Sequence, residues 1–129
     1  MIKRLCVIIF TLLLIMQISN VSAGTYSDPV FSSATVFINN SKSATFSAIT
    51  YNQYDSITVT SVKLYKKDAN NTWAYEGDLP VPTDPSTTPV TYAATADYSA
   101  YIESGTYRIR ATFCAGDYSL IRYSYSNTY

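Results

Sequence analysis

The sequence predicts an all-β protein, a single antiparallel sandwich of about seven strands, on three observations. All 13 tyrosines of the 129-residue chain lie after residue 23, among many threonine, serine, valine and isoleucine residues, and these are the residues that strands favour. Several segments alternate apolar and polar residues, whereas few place apolar residues at helical spacing. Short runs of turn-forming residues separate the alternating segments. Together these features favour strands joined by turns.

The first 23 residues predict an export signal. A cationic start at 1–4 precedes an apolar run at 5–16, and small or apolar residues at 21–23 precede a cleavage point between Ala23 and Gly24. The apolar run is shorter than the roughly 20 residues that a membrane-spanning helix needs. We therefore expect residues 24–129 to form one secreted, extracellular domain that is soluble once the signal is removed.

The first half of this domain contains two strand patterns. Ala44, Phe46 and Ala48 alternate with three residues of the opposite parity, as one buried and one exposed face require. Further on, Ile57 and Val59 share one parity, while apolar residues 62 and 64 share the other. This change of parity predicts either a bulge inside one long strand or a break between two strands.

The second half continues with a hairpin, a loop and three strands. Residues 66–71 form a turn-rich segment before the alternating pattern of 72–76, which indicates a hairpin. Four of the five prolines lie within 80–89, so a central strand is excluded there and an exposed connection is expected. A strand follows near 90–94. The clearest alternation places four residues on one face of the next strand: Tyr107, Ile109, Ala111 and Phe113. A turn at 115–117 then leads to a last strand near 118–126.

Composition excludes several classes of function. Without Lys3 and Arg4 the chain has seven basic and nine acidic residues, a net charge of −2 that gives no attraction to nucleic acid or to an anionic membrane. Histidine is absent, which excludes a nucleophile paired with a histidine base. Cys114 is the one cysteine outside the signal, so it is either an unpaired thiol or half of a disulfide-linked dimer.

No enzyme site, metal site or cofactor is expected. The loop beginning at Asp68 places oxygen-bearing side chains at its first, third and fifth positions, but Trp73 replaces the glycine that a calcium loop needs. A plain hairpin turn therefore fits better. Nine acidic residues remain for a two-carboxylate glycosidase, although no acidic pair lies within an apolar motif.

The segment from Glu103 to Ile109 resembles the start of strand F in immunoglobulin domains, where an acidic residue, a small residue and glycine precede a tyrosine. The resemblance implies that the Tyr107 hydroxyl closes a corner onto nearby backbone, and Ile109 stands where that family has a cysteine. Residues 62–67 look like strand C, with Leu64 near the position of the family's tryptophan. In layout the likeness covers residues 30–126, and it extends to small exported immunoglobulin-like proteins of Gram-positive bacteria; it implies a fold and no activity.

The predicted strand faces suggest a binding surface. If Leu64 and Ile109 point inward, Tyr65, Arg108 and Arg110 point outward, and we place Arg122 with them by assigning Ile121 and Tyr123 to the core. Aromatic and arginine side chains on a flat face are typical of recognition surfaces. The alternative is a solvated face shielded by long side chains.

The expected function is therefore non-enzymatic binding or adhesion to a protein or a glycan through this outer face. One alternative is a self-assembling surface subunit, in which the alternating, uncharged segment 123–129 pairs with another copy or Cys114 links two copies. A second alternative is a small secreted inhibitor or immunity factor that presents the proline-rich loop.

Overall fold

A computed structural model describes residues 27–129 and shows a β-sandwich made of two antiparallel sheets. The predicted signal at 1–23 and its cleavage point lie outside the described residues. The described part contains nine strands and no helix; the strands are β1 (Phe31–Ile38), β2 (Ser43–Thr50), β3 (Ile57–Lys67), β4 (Trp73–Leu79), β5 (Ser86–Thr87), β6 (Thr91–Asp97), β7 (Thr106–Ala115), β8 (Tyr118–Tyr123) and β9 (Asn127–Thr128).

One sheet has four strands and the other has five. The first has the order β1-β2-β6-β5, and the second has the order β4-β3-β7-β8 with β9 paired to the start of β7. The inner faces of both sheets form one core, in which the ring of Phe113 on β7 meets those of Phe31 and Tyr92 from the opposite sheet. Aromatic pairs at such edge-on angles add to the energy of area burial.

The alternating segments face as predicted. Ala44, Phe46 and Ala48 of β2 are buried, while Ile49 faces outward, and the four inward residues predicted for β7 are all buried. The parity change in β3 is a bulge within one strand, because its register against β7 shifts between Val59 and Ser61. A bulge turns both apolar pairs of β3 toward the core.

The hairpin between β3 and β4 is confirmed, and a carboxylate holds its turn. Asp68 Oδ1 accepts hydrogen bonds from the backbone N–H groups of Asn70 and Thr72, and Asn71 has a φ of 61°. Asparagine tolerates this left-handed conformation better than most residues. The oxygen-rich loop considered for calcium is therefore explained by turn geometry.

The facing predicted for the last strand is wrong. Ile121 and Tyr123 are 41% and 48% exposed, whereas Leu120 packs against the core. The two-residue turn at Gly116 and Asp117 pairs Ala115 with Tyr118 and Phe113 with Leu120, so the even-numbered residues of β8 follow the inward residues of β7. Strand β8 also ends at Tyr123, before the predicted end at 126.

Ser124 explains where β8 ends. Its N–H donates to the Ile109 carbonyl, and its hydroxyl accepts from the Ile109 N–H, so one buried side chain replaces a strand partner. The chain then returns to pair β9 with β7, and the Tyr129 hydroxyl donates to the Asn39 carbonyl at 2.6 Å. The terminal segment is therefore attached to the rest of the domain rather than extended as one alternating strand.

The proline-rich segment lies at an edge, as expected. Only Ser86 and Thr87 form a strand, β5, which pairs with β6 at the rim of the four-stranded sheet. Pro82 is buried, while the residues around it are exposed. The segment is thus an exposed connection with one apolar anchor.

A tyrosine does bond to a distant backbone carbonyl, but it is not the predicted one. Tyr98, in the connection from β6 to β7, donates its hydroxyl hydrogen bond to the Pro80 carbonyl at 2.6 Å. The corner bond expected of Tyr107 is absent from the hydrogen bonds within residues 27–129. The buried Tyr107 ring instead packs against the Tyr129 ring and lies under the Lys66 ammonium.

Candidate binding face

The outer side of the five-stranded sheet brings together aromatic and cationic side chains from all four of its long strands. Register places Tyr65 of β3 between Tyr75 of β4 and Arg108 of β7, and it places Arg110 opposite Tyr123 of β8. We call this surface the outer aromatic–arginine face, and it consists of Tyr65, Trp73, Tyr75, Arg108, Arg110 and Tyr123.

Arg108 is the centre of this face. Its guanidinium carbon lies 4.5 Å from the centroid of the Trp73 ring and 4.4 Å from that of Tyr123, with Tyr65 at 5.9 Å. A cation over an aromatic face is attracted by the ring quadrupole, and the planar guanidinium is the side chain best suited to it. Three rings therefore hold this arginine in one orientation.

The tyrosines pack edge to face around Arg108. The Tyr65 ring is 5.8 Å from Tyr75 and 6.2 Å from Tyr123, at interplanar angles of 65° and 59°. Such tilted pairs are favourable and restrict the rotation of each ring. About half of each of Tyr75 and Tyr123 stays exposed, so the face offers rigid aromatic area to solvent.

An ion pair lies at one edge of the face. Lys63 Nζ lies 2.8 Å from Asp78 Oδ1, which also accepts the Tyr75 hydroxyl hydrogen bond at 2.9 Å. These bonds lower the pKa of Asp78 and raise the pKa of Lys63 and of Tyr75. Since Asp78 and Tyr75 are exposed and Lys63 is partly exposed, the pair contributes little to stability and mainly positions its members.

The two arginines have no such partner. Within the described residues Lys63–Asp78 is the one ion pair, and neither guanidinium donates a hydrogen bond to a protein acceptor. The Nε atoms of Arg108 and Arg110 are shielded from solvent. Arg110 also lies directly opposite Lys63, a like charge that is itself paired with Asp78.

The structure brings three of the four predicted binding residues together and separates the fourth. Tyr65, Arg108 and Arg110 share the outer face, but Arg122 pairs with the inward Ala111 and lies at the sheet rim. The error has the same cause as the reversed facing of β8. Arg122 instead acts electrostatically on Asp28, near the start of β1.

Sequence reasoning missed Trp73, Tyr75 and Tyr123 as members of the face. A register argument could have found all three. The hairpin turn at 68–72 requires Lys67 to pair with Trp73, and the short turn after Ala115 requires Tyr123 to share the outward parity of Arg110.

Cys114 lies on the same side of the sheet, nearer the other end of β7. It is half-buried, and its Sγ is 3.4 Å from the Thr60 hydroxyl. Its outward parity agrees with the prediction, and its accessibility to a reagent stays a prediction.

A groove between the connection from β2 to β3 and the proline-rich segment has a volume of about 840 Å³. Its lining is mostly hydroxyl-bearing residues and prolines with one carboxylate, Asp55. A single carboxylate does not provide the acidic pair that glycoside hydrolysis requires. The outer aromatic–arginine face therefore has the more specific chemistry.

Residues 27–129 contain no group of three or more cysteine, aspartate or glutamate residues placed to hold a metal ion. In the same range no helix is long and apolar enough to cross a bilayer. Comparison with protein-family models and with curated proteins found no match to this chain.

Proposed function

We propose that this protein is a secreted, non-enzymatic binding module that recognises a protein or a glycan through its outer aromatic–arginine face. The observation that carries the proposal is the Arg108 guanidinium held between Trp73 and Tyr123 beside exposed tyrosine surface. Tyrosine, tryptophan and arginine dominate binding hot spots, and a rigid arrangement loses little entropy on binding. A face built only for solvation needs no such ordering.

The proposal includes an immunoglobulin-like fold, which the strand order supports. The order β1-β2-β6-β5 follows the A-B-E-D order of that fold, and β4-β3-β7-β8 follows C′-C-F-G. In this assignment β7 is strand F, the strand that the segment Glu103–Ile109 resembles. The inter-sheet disulfide of antibody domains has no equivalent, because Ile109 takes the cysteine's place in the core.

Secretion rests on the sequence pattern of residues 1–23, and it has its own test. Intact-mass measurement of protein collected from a culture medium should give the mass of residues 24–129. A secreted form that retains residues 1–23 would contradict the proposed processing.

Binding is tested with paired aromatic variants. Tyr75→Ala and Tyr123→Ala remove exposed rings from the face, whereas Phe37→Ala and Tyr51→Ala remove exposed rings from β1 and from the residue after β2, both in the four-stranded sheet. With a partner captured from the producing culture or from a glycan array, a hot-spot ring should cost at least about 2 kcal/mol, or roughly 30-fold in affinity. The control pair should bind as the parent protein does.

Two further measurements separate the alternatives. Loss of binding only on deletion within 80–89 would favour an inhibitor that presents the loop. Concentration-dependent sedimentation would favour a self-assembling subunit. The hydrogen bonds that attach β9 and Tyr129 to the domain leave residues 123–129 less available for pairing with another copy than an unattached strand would be.

A further inference from the structure

We propose that the occupant of the outer aromatic–arginine face is an acidic, extended segment of a protein, whose alternate side-chain carboxylates pair with Arg108 and Arg110. This inference rests on the proposed binding function and specifies its ligand. Four observations carry it: the charge of the face, its guanidinium groups without hydrogen-bond acceptors, their spacing and the cations that lie over the aromatic rings.

Charge points to an anionic partner. Four of the seven cationic residues after the signal lie on this side of the sheet, namely Lys63, Lys67, Arg108 and Arg110, although residues 24–129 carry a net charge of −2. Asp78, a carboxylate on this face, is already bonded to Lys63 and to the Tyr75 hydroxyl. The face is thus positive on a chain that is otherwise acidic, and it attracts anionic groups.

The guanidinium groups identify the anion as one that accepts hydrogen bonds. Both Nε atoms are shielded from water, and in the described part of the chain neither group has an acceptor. A partly desolvated cation without a counter-charge is unfavourable. A carboxylate relieves this cost, because it accepts two parallel N–H hydrogen bonds from an arginine.

The spacing of the arginines suits an extended peptide. Arg108 and Arg110 are alternate residues of β7 and point to the same side, which places them about 6.6 Å apart along the strand. Alternate side chains of any extended chain repeat at the same distance. A Glu-X-Glu segment aligned with β7 can therefore present one carboxylate to each arginine.

The aromatic rings favour protein over glycan, since sugar rings stack on open, flat aromatic surfaces. Here the protein's own cations lie over the rings: Lys67 and Arg108 over Trp73, Arg108 over Tyr123, and Lys63 over Tyr75. The tyrosines also meet at steep angles rather than side by side. The face therefore presents ring edges and cationic groups more than a platform for sugars.

The test uses the residue 24–129 protein and defined probes. Two ten-residue peptides differ only in carrying Glu-Thr-Glu or Gln-Thr-Gln, and polygalacturonate represents acidic glycans. Trp73, the one tryptophan of the chain, touches Arg108, so its fluorescence reports occupancy directly. Calorimetry supplies an independent affinity.

The glutamate peptide should bind at least ten-fold more tightly than the glutamine peptide, and its affinity should fall as salt rises. Arg108→Gln and Arg110→Gln should each weaken it ten-fold or more, while Arg122→Gln, an equal charge change off the face, should leave it within two-fold. If Arg108→Gln unfolds, Arg108→Lys keeps the charge, removes the planar fork and should still weaken binding.

Three results would overturn the inference: equal affinity for both peptides, equal loss from the Arg122 control, or no peptide binding at all. Tighter binding of polygalacturonate would reassign the ligand to an acidic glycan. In each case the binding function of the face is judged separately by the tyrosine variants on a captured partner, so the two failures are distinguishable.

Discussion

The hydrogen bond from Tyr98 to Pro80 leads to the sharpest test of the fold. Tyr98→Phe removes one hydroxyl and keeps a ring that is 1% exposed, so packing is preserved. Its burial raises the pKa of Tyr98 above its usual value, which keeps the hydroxyl protonated as a donor. Because Pro80 is exposed, its carbonyl can bond to water instead, and the expected loss is about 1 kcal/mol, the net value of one hydrogen bond.

Tyr107→Phe is the matched control, because Tyr107 is equally buried but donates no comparable bond within the described residues. Urea unfolding followed by circular dichroism should give a loss below about 0.5 kcal/mol for Tyr107→Phe and about twice that or more for Tyr98→Phe. In thermal unfolding a loss of 1 kcal/mol lowers the Tm by about 4–8 °C in a domain of this size. A neutral Tyr98→Phe would refute the assignment, and a larger cost at Tyr107 would favour the corner bond predicted for that residue.

Three further predictions follow from single residues or segments. Burial opposes the charge of Asp28, but hydrogen bonds from the Phe31 and Val30 N–H groups and from the Tyr118 hydroxyl hold its pKa below its ordinary value of 3.8. The ionised carboxylate therefore stabilises the fold above the ordinary pKa, and this stabilisation is lost as pH falls through the lower folded-state pKa. Asp28→Asn should flatten the acid end of a stability–pH profile. An unchanged profile would argue against the three bonds. Cys114 should react with iodoacetamide in native protein, and labelling only after denaturation would contradict its outward placement. Limited proteolysis should first cut within 80–89, where every residue except Pro82 is exposed, and mass spectrometry would reveal an earlier cut elsewhere.

The strands whose facing could be predicted share one property: their odd-numbered and even-numbered residues differ strongly in polarity. In β2 and β7 every inward position except Thr50, at the end of β2, is apolar or aromatic, whereas burying the opposite faces would bury many hydroxyl or charged groups. The same logic predicted a bulge or a break in β3, and the structure has the bulge, since Val62 and Leu64 reach the core only if the strand gains a residue after Val59. Turn residues at 68–72 and 115–117 similarly carried enough local information.

Strand β8 lacks that contrast, which is why its facing could not be predicted from its own residues. Each parity offers one aliphatic residue, Leu120 or Ile121, beside polar or aromatic residues: Tyr118 and Arg122 on one side, Ser119 and Tyr123 on the other. Hydrophobicity therefore does not choose between them, and the hairpin register against β7 does. For this reason alone, Arg122 lies off the face and Tyr123 lies on it, contrary to the prediction.

The sequence by itself determined the all-β class, the strand parities of the central strands and the outward placement of Tyr65, Arg108 and Arg110. Only the tertiary structure decided which side chains meet across strands, because such contacts depend on register between segments far apart in sequence. The cage of Trp73 and Tyr123 around Arg108, the bond from Tyr98 to Pro80 and the attachment of Tyr129 to Asn39 all join such segments. Local composition reports which face a residue prefers, but not which partner it meets there.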